Sequence, residues 1–331
     1  MKKILALVCA VLMVLALTAC GQTAAPAQSE APAEPEAAAE SFTIGICQLV
    51  QHPALDAATQ GFKDALTELL GDSVTFVEQK ASGDSATCSV ICTQFVSDEV
   101  DLIMANATAA LQAAASATAD IPILATSITD YATALNIEGW TGTTGMNISG
   151  TSDLAPLDGQ AAMLNELFPE AKTVGILYCS GEPNSKYQAD TITPMLEDYG
   201  YTVTEYTFAD SNDVSSVTAT ACGEVDVLYI PTDNTAASCT EAINNVALNA
   251  GVPIIAGEEG ICAGCGVATL SISYYDIGYA TGEMAYEILV NGADVSAMEI
   301  QYAPQFTKEY NASICGALGI TVPEDYVAIG E

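Results

Sequence analysis

The sequence of 331 residues contains no arginine, one histidine and one tryptophan. Seven lysines stand against 42 aspartates and glutamates, which gives a formal net charge of −35. A field of this sign repels phosphate backbones, so it argues against nucleic acid as a partner, and it also disfavours direct docking to anionic lipid. We therefore expect most of the acidic side chains to lie on a solvated surface.

Sequence motifs of the common catalytic sites are absent as well. The chain has no GxSxG, HExxH or Walker sequence, and only His52 could act as the base of a Ser–His pair. This residue precedes Pro53 at a predicted helix start, where entry into the helix or a place beside a ligand is favoured over catalysis. Asp233 and Glu258 could form a carboxylate pair, although nothing in the sequence brings them together. The sequence thus predicts a protein that is not an enzyme and that holds neither a cofactor nor a metal ion.

Cysteine is the next feature to interpret, since eleven cysteines occur and two of them, Cys9 and Cys20, belong to the N-terminal segment. The remaining nine are an odd number, which argues against a fully paired disulfide framework even outside the cell. Several lie in apolar runs, where cysteine packs as a small hydrophobic residue. Cys262 and Cys265 have the CxxC spacing of metal and redox sites, but no second pair accompanies them. For these two the sequence favours simple packing or a local disulfide over a metal site.

The N-terminal segment has the features of an export signal. A Met-Lys-Lys start precedes an apolar run, Ile4 to Leu17, that is too short and wrongly flanked for a membrane-spanning helix. The sequence Leu-Thr-Ala-Cys20 resembles a bacterial lipobox. That resemblance implies loss of residues 1–19, lipid on Cys20 and a mature protein anchored to the outer face of the cell membrane. The alternative is an ordinary signal peptide with a chance cysteine. Residues 20–41, rich in Ala, Pro and Glu, are expected to form a disordered tether.

From residue 42 onward, short β-rich runs alternate with stretches of helical periodicity. Strands separated by helices of about 10–15 residues form parallel βαβ units. Two successive sets of such units predict an α/β protein with two doubly wound parallel-sheet lobes. The predicted strands of the first set are 42–48, 74–77, 101–105, 122–125 and, as a possible fifth, 143–148; those of the second set are 173–178, 202–208, 225–230, 253–256 and 266–272.

The loops after these strands contain the candidate site residues. In open α/β sheets, ligands bind beyond the carboxyl ends of the strands. The loops at these positions are rich in hydroxyl and amide side chains and poor in cations. The candidates are Gln48, Thr108, Thr126 and Ser127 in the first lobe, and Ser180, Asn184, Asp233, Asn234 and Glu258 in the second.

Several motifs that follow one another along residues 42–290 resemble a single family. They start with Ile-Gly-Ile-Cys-Gln-Leu-Val-Gln-His-Pro-Ala-Leu-Asp, which ends at Asp56. The later ones include Gln94–Asp98, Thr151–Leu154, Thr173–Tyr178, Ser180–Ser185, Pro231–Ser238 and Tyr274–Gly278. In this order they resemble the substrate-binding lipoproteins of ABC transporters, in the group that takes up tryptophan and tyrosine. Cys47 departs from this group, which often has serine there, and the exact ligand is therefore open.

The resemblance implies a type I periplasmic-binding-protein fold. In this fold two lobes, joined by a three-crossing hinge, close around a small ligand like a Venus flytrap. The crossings are expected near residues 150–153, 272–275 and 301–304. The first lobe would then comprise residues 42–150 and 275–300, and the second lobe residues 151–274 and 301–331.

The resemblance also implies an amino acid as the ligand, because several members of the family bind aromatic amino acids. In a chain without arginine, the carboxylate of such a ligand would be held by backbone N–H groups at helix N-termini and by neighbouring polar side chains. The candidates for this role are Thr126, Ser127, Ser180 and Asn184.

The ammonium group of the ligand requires an acceptor, and Asp233 is the leading candidate, with the Asn234 amide beside it. Both residues could instead only cap the following helix. Gln48 and Thr108 would line the opposite wall of the cleft. Tyr275 would cover an aromatic side chain, unless it belongs to the core between the lobes.

The partners implied by the resemblance are a small-molecule ligand and an ABC permease with its ATPase. Contact with the membrane would run through the lipid anchor alone, and we expect a monomer. Two alternatives keep the fold: the ligand could be a sugar, a nucleoside or another small solute, or the protein could act as a sensor that passes its ligand to a receptor.

Overall fold

The computed structural model describes residues 41–330. The predicted signal peptide, the predicted lipidation site Cys20 and the tether up to residue 40 lie outside this range. Within it, no helix is long and apolar enough to cross a bilayer. The first half of the described chain contains β1 (Phe42–Gln48), α1 (Pro53–Leu70), β2 (Val74–Lys80), α2 (Ser85–Ser97), β3 (Leu102–Asn106), α3 (Thr108–Ala117), β4 (Ile123–Ile128), α4 (Tyr131–Leu135) and β5 (Ile148–Ser152).

The second half repeats the alternation of helices and strands. Its elements are α5 (Leu157–Leu167), β6 (Thr173–Cys179), α6 (Pro183–Asp198), β7 (Thr202–Phe208), α7 (Val214–Cys222), β8 (Val227–Ile230), α8 (Asn234–Ser238), α9 (Thr240–Ala250), β9 (Ile254–Ala256), α10 (Glu259–Cys265) and β10 (Ala268–Ser271). They are followed by α11 (Tyr274–Leu289), β11 (Gln301–Tyr302), β12 (Thr307–Tyr310), α12 (Ala312–Leu318) and β13 (Val327–Ala328).

Two sheets form the two lobes. The strand order is β11-β5-β4-β3-β1-β2 in the first sheet and β13-β12-β10-β9-β8-β6-β7 in the second. Neighbouring strands run parallel except for the antiparallel pair of β10 and β12. In each sheet the order reverses around the first strand of its set, as in doubly wound folds. The predicted fold class is confirmed.

Helices cover both faces of each sheet, which explains why the central strands are apolar throughout. In β3, Leu102 and Met104 pack with Phe62 and Met284 on one face, where α1 and α11 lie. Ile103 and Ala105 of the same strand point to the other face and pack in the core that α2 and α3 cover. The second sheet likewise has one core on each of its faces.

Helix α11 returns the chain to the first lobe by packing closely against α1. Gly278 allows this approach, because a Cβ atom there would lie 2.0 Å from the carbonyl oxygen of Ala58. Gly61 on the facing helix is equally constrained, with its Cβ position 2.1 Å from the oxygen of Tyr275. The two glycines therefore set the distance between the helices, and larger residues at either position would push them apart.

The chain passes between the sheets three times. It leaves the first sheet after β5, re-enters the first lobe with α11, and passes from β11 to β12 of the second sheet. Gln301 and Tyr302 pair with Thr151 and Ser152 of β5. These two residues therefore belong to the first sheet, whereas the sequence analysis assigned residues 301–331 to the second lobe.

One local prediction was wrong, and one short helix was not predicted. The fifth strand spans Ile148–Ser152 and not residues 143–148, because Ile148 is the residue that pairs with Ile123 of β4. The segment before it turns, and the hydroxyl of Thr144 donates to the Ile148 oxygen. Residues 259–265, which include the CxxC sequence, form α10, a helix that the sequence analysis did not predict. All nine cysteines in residues 41–330 are unpaired, and most of them are buried.

Candidate functional site

The carboxyl ends of β3 and β4 place two strained residues side by side. Ala107 and Ser127 have positive φ angles of 86° and 58°, which is uncommon for residues other than glycine. They are neighbours because Asn106 pairs with Thr126, and the Ala107 N–H donates to the Thr126 oxygen. Strained backbone of this kind clusters at ligand sites.

Ser127 also has a buried hydroxyl that finds no hydrogen-bond partner among the described residues. The residue is 6% exposed. Thr108, which is buried too, begins the ten-residue helix α3 next to it. Helix N-termini present free N–H groups, and buried hydroxyls normally have partners. This corner of the first lobe therefore offers donors for an anion.

The facing edge of the second lobe is acidic. Glu182 lies just before α6, and its carboxylate accepts from the backbone N–H groups of Asn234 and Thr235 at 3.0 and 2.8 Å. Asp233 is fully buried beside it and caps α8 by accepting from the Ala236 N–H at 2.7 Å. Its second oxygen accepts from the Cys179 N–H and the Ser185 hydroxyl at 2.8 and 2.7 Å. Burial and the charge of Glu182 raise the pKa of Asp233 well above its usual range.

A side-chain contact joins the two edges. The Nε2 atom of His52, in the loop after β1, lies 3.3 Å from Oδ1 of Asn234 at the start of α8. Helices α4 and α6 also meet across the lobes. The two lobes are therefore in contact at the carboxyl ends of their strands.

Two cavities lie between the lobes. The cleft cavity, of about 390 Å³, is lined by the ends of β1, β6 and α8 and by the N-termini of α2 and α3. Its lining includes the carbon side chains of Leu49, Val50 and Ala109 and the polar groups of Glu182 and Asn234. No lysine lines it within residues 41–330.

The hinge cavity, of about 350 Å³, lies between α1 and α10. Glu258, Glu259 and Glu309 line it together with Tyr274 and Tyr275. Burial raises the pKa values of Glu258 and Glu309 to about 7.

A buried hydrogen-bond cluster connects two of the crossings. Asp153, directly after β5, accepts from the hydroxyl of Thr129 and from the hydroxyl of Tyr274, each at 3.0 Å. Burial raises the pKa of Asp153 to about 6. Because Asp153 and Tyr274 lie in different crossings, their contact fixes the crossings relative to each other.

The predicted site residues of the first lobe differ in their surroundings. Ser127 and Thr108 lie together at the donor corner described above. Thr126 is buried and accepts from the Thr151 hydroxyl. Gln48 is engaged within its own lobe, where its amide donates to Val50 and Asp56 and accepts from Thr59.

The predicted site residues of the second lobe, apart from Glu258, fall into two groups. Asn184, Asp233 and Asn234 meet Glu182 in one network, in which Asn184 donates to Glu182 and to the Thr232 oxygen. Ser180 is exposed and donates to the Phe208 oxygen.

The two remaining predicted residues line the hinge cavity. Glu258 caps α10 by accepting from the Gly260 and Ile261 N–H groups. Tyr275 is 39% exposed and donates to Asp64 of α1.

Three residues of the site were not selected from the sequence. Glu182 and Asp153 lie inside the motifs Ser180–Ser185 and Thr151–Leu154, so the motifs were the available signal. Tyr274 lies at the predicted second crossing. The sequence did not indicate that Glu182 accepts hydrogen bonds from the N-terminus of α8, since 52 residues separate it from Asn234.

We expect the ligand-free protein to become more stable as the pH falls from about 8 to about 5. Asp153, Glu258 and Glu309 all have pKa values raised by burial. A carboxyl group with a higher pKa in the folded than in the unfolded chain stabilises the fold while protonated. This contribution is lost as the pH rises through the folded-state pKa. Thermal melts across this pH range measure the effect.

Asp153→Asn is the matched control for that measurement. The amide oxygen can accept from one of the hydroxyls of Thr129 and Tyr274, and the amide nitrogen can donate to the other. The variant should lose the contribution of Asp153, up to about 1.4 kcal/mol per pH unit between about pH 4 and 6. A slope equal to that of the wild type in this window would contradict the assignment.

Comparison with known proteins identifies the family. Residues 43–329 match the model of the ABC transporter substrate-binding protein family. The chain is 38% identical over 292 residues to a tyrosine-binding protein of Clostridioides difficile (strain R20291), which covers 87% of this chain and 84% of that one.

Solved structures agree with this match. The ABC domain from Streptococcus pneumonia in complex with L-Trp superposes with a TM-score of 0.82 at 32% identity, over 86% of this chain and 97% of the other. A substrate-binding protein with adhesive properties from Clostridium difficile, in its ligand-free, open structure, superposes with a TM-score of 0.66 at 38% identity, over 87% and 99%.

The order of the two structures by TM-score is the reverse of their order by sequence identity. The chain is more similar in sequence to the ligand-free, open structure, yet it superposes better on the L-Trp complex. The contacts between His52 and Asn234 and between α4 and α6 show that the two lobes of this structure touch at the cleft. The resemblance read from the motifs is confirmed, and the chain belongs to the family of ABC transporter substrate-binding proteins.

Proposed function

We propose that this protein captures an aromatic L-α-amino acid in the cleft cavity and delivers it to an ABC permease. Substrate-binding proteins of ABC transporters work outside the cytoplasm and bind their ligand without transforming it. The observation that carries the proposal is the pairing of the donor corner at Thr108 and Ser127, where the Ser127 hydroxyl has no partner among the described residues, with an acidic edge across the cleft. A zwitterion has the complementary charges.

The carboxylate of the ligand binds at the donor corner. The Ser127 hydroxyl and the N–H groups at the start of α3 donate to it, because the hydroxyl is buried and has no other partner among residues 41–330. Ala109, one residue beyond Thr108, lines the cleft cavity and connects this corner to it.

The ammonium group binds near Glu182 and Asp233. Burial, and after it the charge of Glu182, raise the pKa of Asp233, so two acidic groups are held together without a neighbouring lysine among the described residues. A ligand cation would relieve this repulsion, since opposite charges at a few ångströms favour each other's ionised forms. Glu182 also lines the cleft cavity.

The aromatic ring packs against Leu49 and Val50 in the cleft cavity. The volume of the cleft cavity, about 390 Å³, is within the usual range for small-molecule sites. The tyrosine-binding relative and the L-Trp complex support an aromatic side chain. Closure follows because the ligand contacts both lobes only when they meet. Lipid on Cys20 would keep the monomer close to its permease.

A thermal-shift screen of the twenty amino acids, three nucleosides and common sugars tests the proposal. Tyrosine or tryptophan at 100 times its Kd should stabilise the fold by about 2.7 kcal/mol, because only the folded state binds it. Stabilisation by a sugar or nucleoside, with none by any amino acid, would overturn the assignment of the ligand.

A further inference from the structure

The contact between His52 and Asn234 joins residues that are 182 positions apart and belong to different lobes. His52 is 7% exposed. It precedes α1 of the first lobe, and Asn234 begins α8 of the second. The hydrogen bond can therefore exist only while the lobes are closed.

Glu182 determines which atom of the Asn234 amide faces His52. The Nδ2 atom of Asn234 donates to Glu182 Oε2 at 2.7 Å. A carboxylate accepts hydrogen bonds and does not donate them, so the nitrogen must be on this side. Oδ1 then faces the imidazole as an acceptor, and His52 Nε2 must carry the hydrogen.

The second ring nitrogen, Nδ1, is buried and has no hydrogen-bond partner among residues 41–330. Protonation of Nδ1 in the closed form would create a buried charge and an N–H group without an acceptor, and both are costly. Two charged groups face the ring: Asp56 on α1 and Glu182 from the second lobe. Both favour the charged ring, but burial outweighs them and lowers the pKa of His52.

We propose that His52 is a latch between the lobes that holds the closed form only while its ring is neutral, so that acid promotes release of the ligand. This inference rests on the proposed function, because the latch regulates the same cleft. His52 acts through Asn234 and the position of the lobes, and it is a positioning residue.

The size of the effect follows from linkage. In an open cleft the ring is solvated and should have an ordinary pKa of about 6.5, whereas closure requires the neutral form. The closed form is favoured above this pH, and its advantage is lost as the pH falls below it. If the closed form never takes up the proton, the affinity falls about thirtyfold between pH 7.5 and 5.0, which is the upper limit.

Carboxyl groups at the hinge respond to pH with the opposite sign. Asp153 and Glu258 are buried where the lobes meet at the hinge, and their pKa values are raised, so closure favours their protonated forms. Acid therefore strengthens closure through these carboxyls. A His52 variant retains them, and the ratio of wild type to variant isolates the histidine.

The experiment measures the Kd for L-tyrosine and L-tryptophan by calorimetry at pH 7.5, 6.0 and 5.0 for the wild type, His52→Gln and His52→Ala. Glutamine can still donate to Asn234 Oδ1 but does not titrate. At pH 7.5 we expect His52→Gln to bind within about threefold of the wild type, and His52→Ala about five- to tenfold more weakly. From pH 7.5 to 5.0 the Kd of the wild type relative to His52→Gln should rise at least fivefold.

A second arm needs no ligand. Small-angle scattering of the unliganded wild type should give a larger radius of gyration at pH 5.0 than at pH 7.5, relative to His52→Gln. Absence of binding by the wild type at pH 7.5 would count against the proposed function alone, and scattering would then decide on the latch. Equal pH responses of wild type and His52→Gln in every arm that gives a signal would overturn it.

Discussion

Tryptamine and tyramine, which lack the α-carboxylate of tryptophan and tyrosine, are expected to bind at least a hundredfold more weakly than the parent amino acids. The chain has no arginine, and no lysine lines the cleft cavity within the described range. Hydrogen bonds from Ser127 and from the N–H groups at the start of α3 must then stabilise the negative charge of the carboxylate. Each bond to a charged group contributes about 1.5–3 kcal/mol, so two lost bonds exceed the 2.7 kcal/mol that a hundredfold change requires.

Ser127→Ala separates this contribution from the rest of the site. The substitution keeps the Cβ atom at the strained position and removes only the unpartnered hydroxyl. It should weaken tyrosine or tryptophan about tenfold and leave the weak binding of the amines unchanged, as calorimetry can measure. Ser180→Ala is the matched control, because Ser180 is exposed and already bonded to the Phe208 oxygen. Amines that bind as tightly as the amino acids would place the carboxylate elsewhere.

A ligand that lacks the ammonium group but keeps the carboxylate tests the acidic edge. Indole-3-propionate retains the carboxylate and the ring of tryptophan but has no ammonium group. Its binding would leave Glu182 and Asp233 next to each other without a cation. The two families of analogues thus examine opposite ends of one ligand, and each has its own set of protein groups.

The lobes could be predicted from the sequence because their signals are local. Strands such as β3 are continuous apolar runs that both faces of a sheet require, and helical periodicity fills the intervals between them. The rule that ligands bind beyond the carboxyl ends of strands then led to Thr108, Ser127 and Asp233 without any structure. Short elements gave weaker signals: α10 has seven residues, which is less than the length over which periodicity can be recognised.

The partners of each side chain could not be predicted, because they depend on contacts between distant segments. Gln48 follows the same rule as Ser127, yet its amide is engaged by Asp56 and Thr59 of the following helix. The contact of His52 with Asn234 requires both lobes and their closure. Sequence position placed these residues at the cleft, whereas only packing decides which of their polar atoms remain free for a ligand.

Asp233→Ala is expected to lower the free energy of unfolding by about 3 kcal/mol or more, measured by chemical denaturation without ligand. Asp233 is fully buried and accepts three hydrogen bonds, two of them from the backbone N–H groups of Cys179 and Ala236. Removing the carboxyl group leaves both N–H groups buried without partners, at a cost of about 1–3 kcal/mol each. The bond from Ala236 is also the cap of α8, so its loss is counted once. Relief of the repulsion by Glu182 offsets part of this loss.

The matched control is Asp213→Ala, since Asp213 also stands at a helix start, that of α7, but is exposed and makes no capping hydrogen bond. It should change the stability by less than about 0.5 kcal/mol. A loss below about 1 kcal/mol for Asp233→Ala would contradict the structural role.

Binding of tryptophan by the variant and the wild type must be compared at equal folded fractions. The folded Asp233→Ala variant could still bind tryptophan as tightly as the wild type. In that case Asp233 serves only to cap α8, and Glu182 alone supplies the negative charge for the ammonium group.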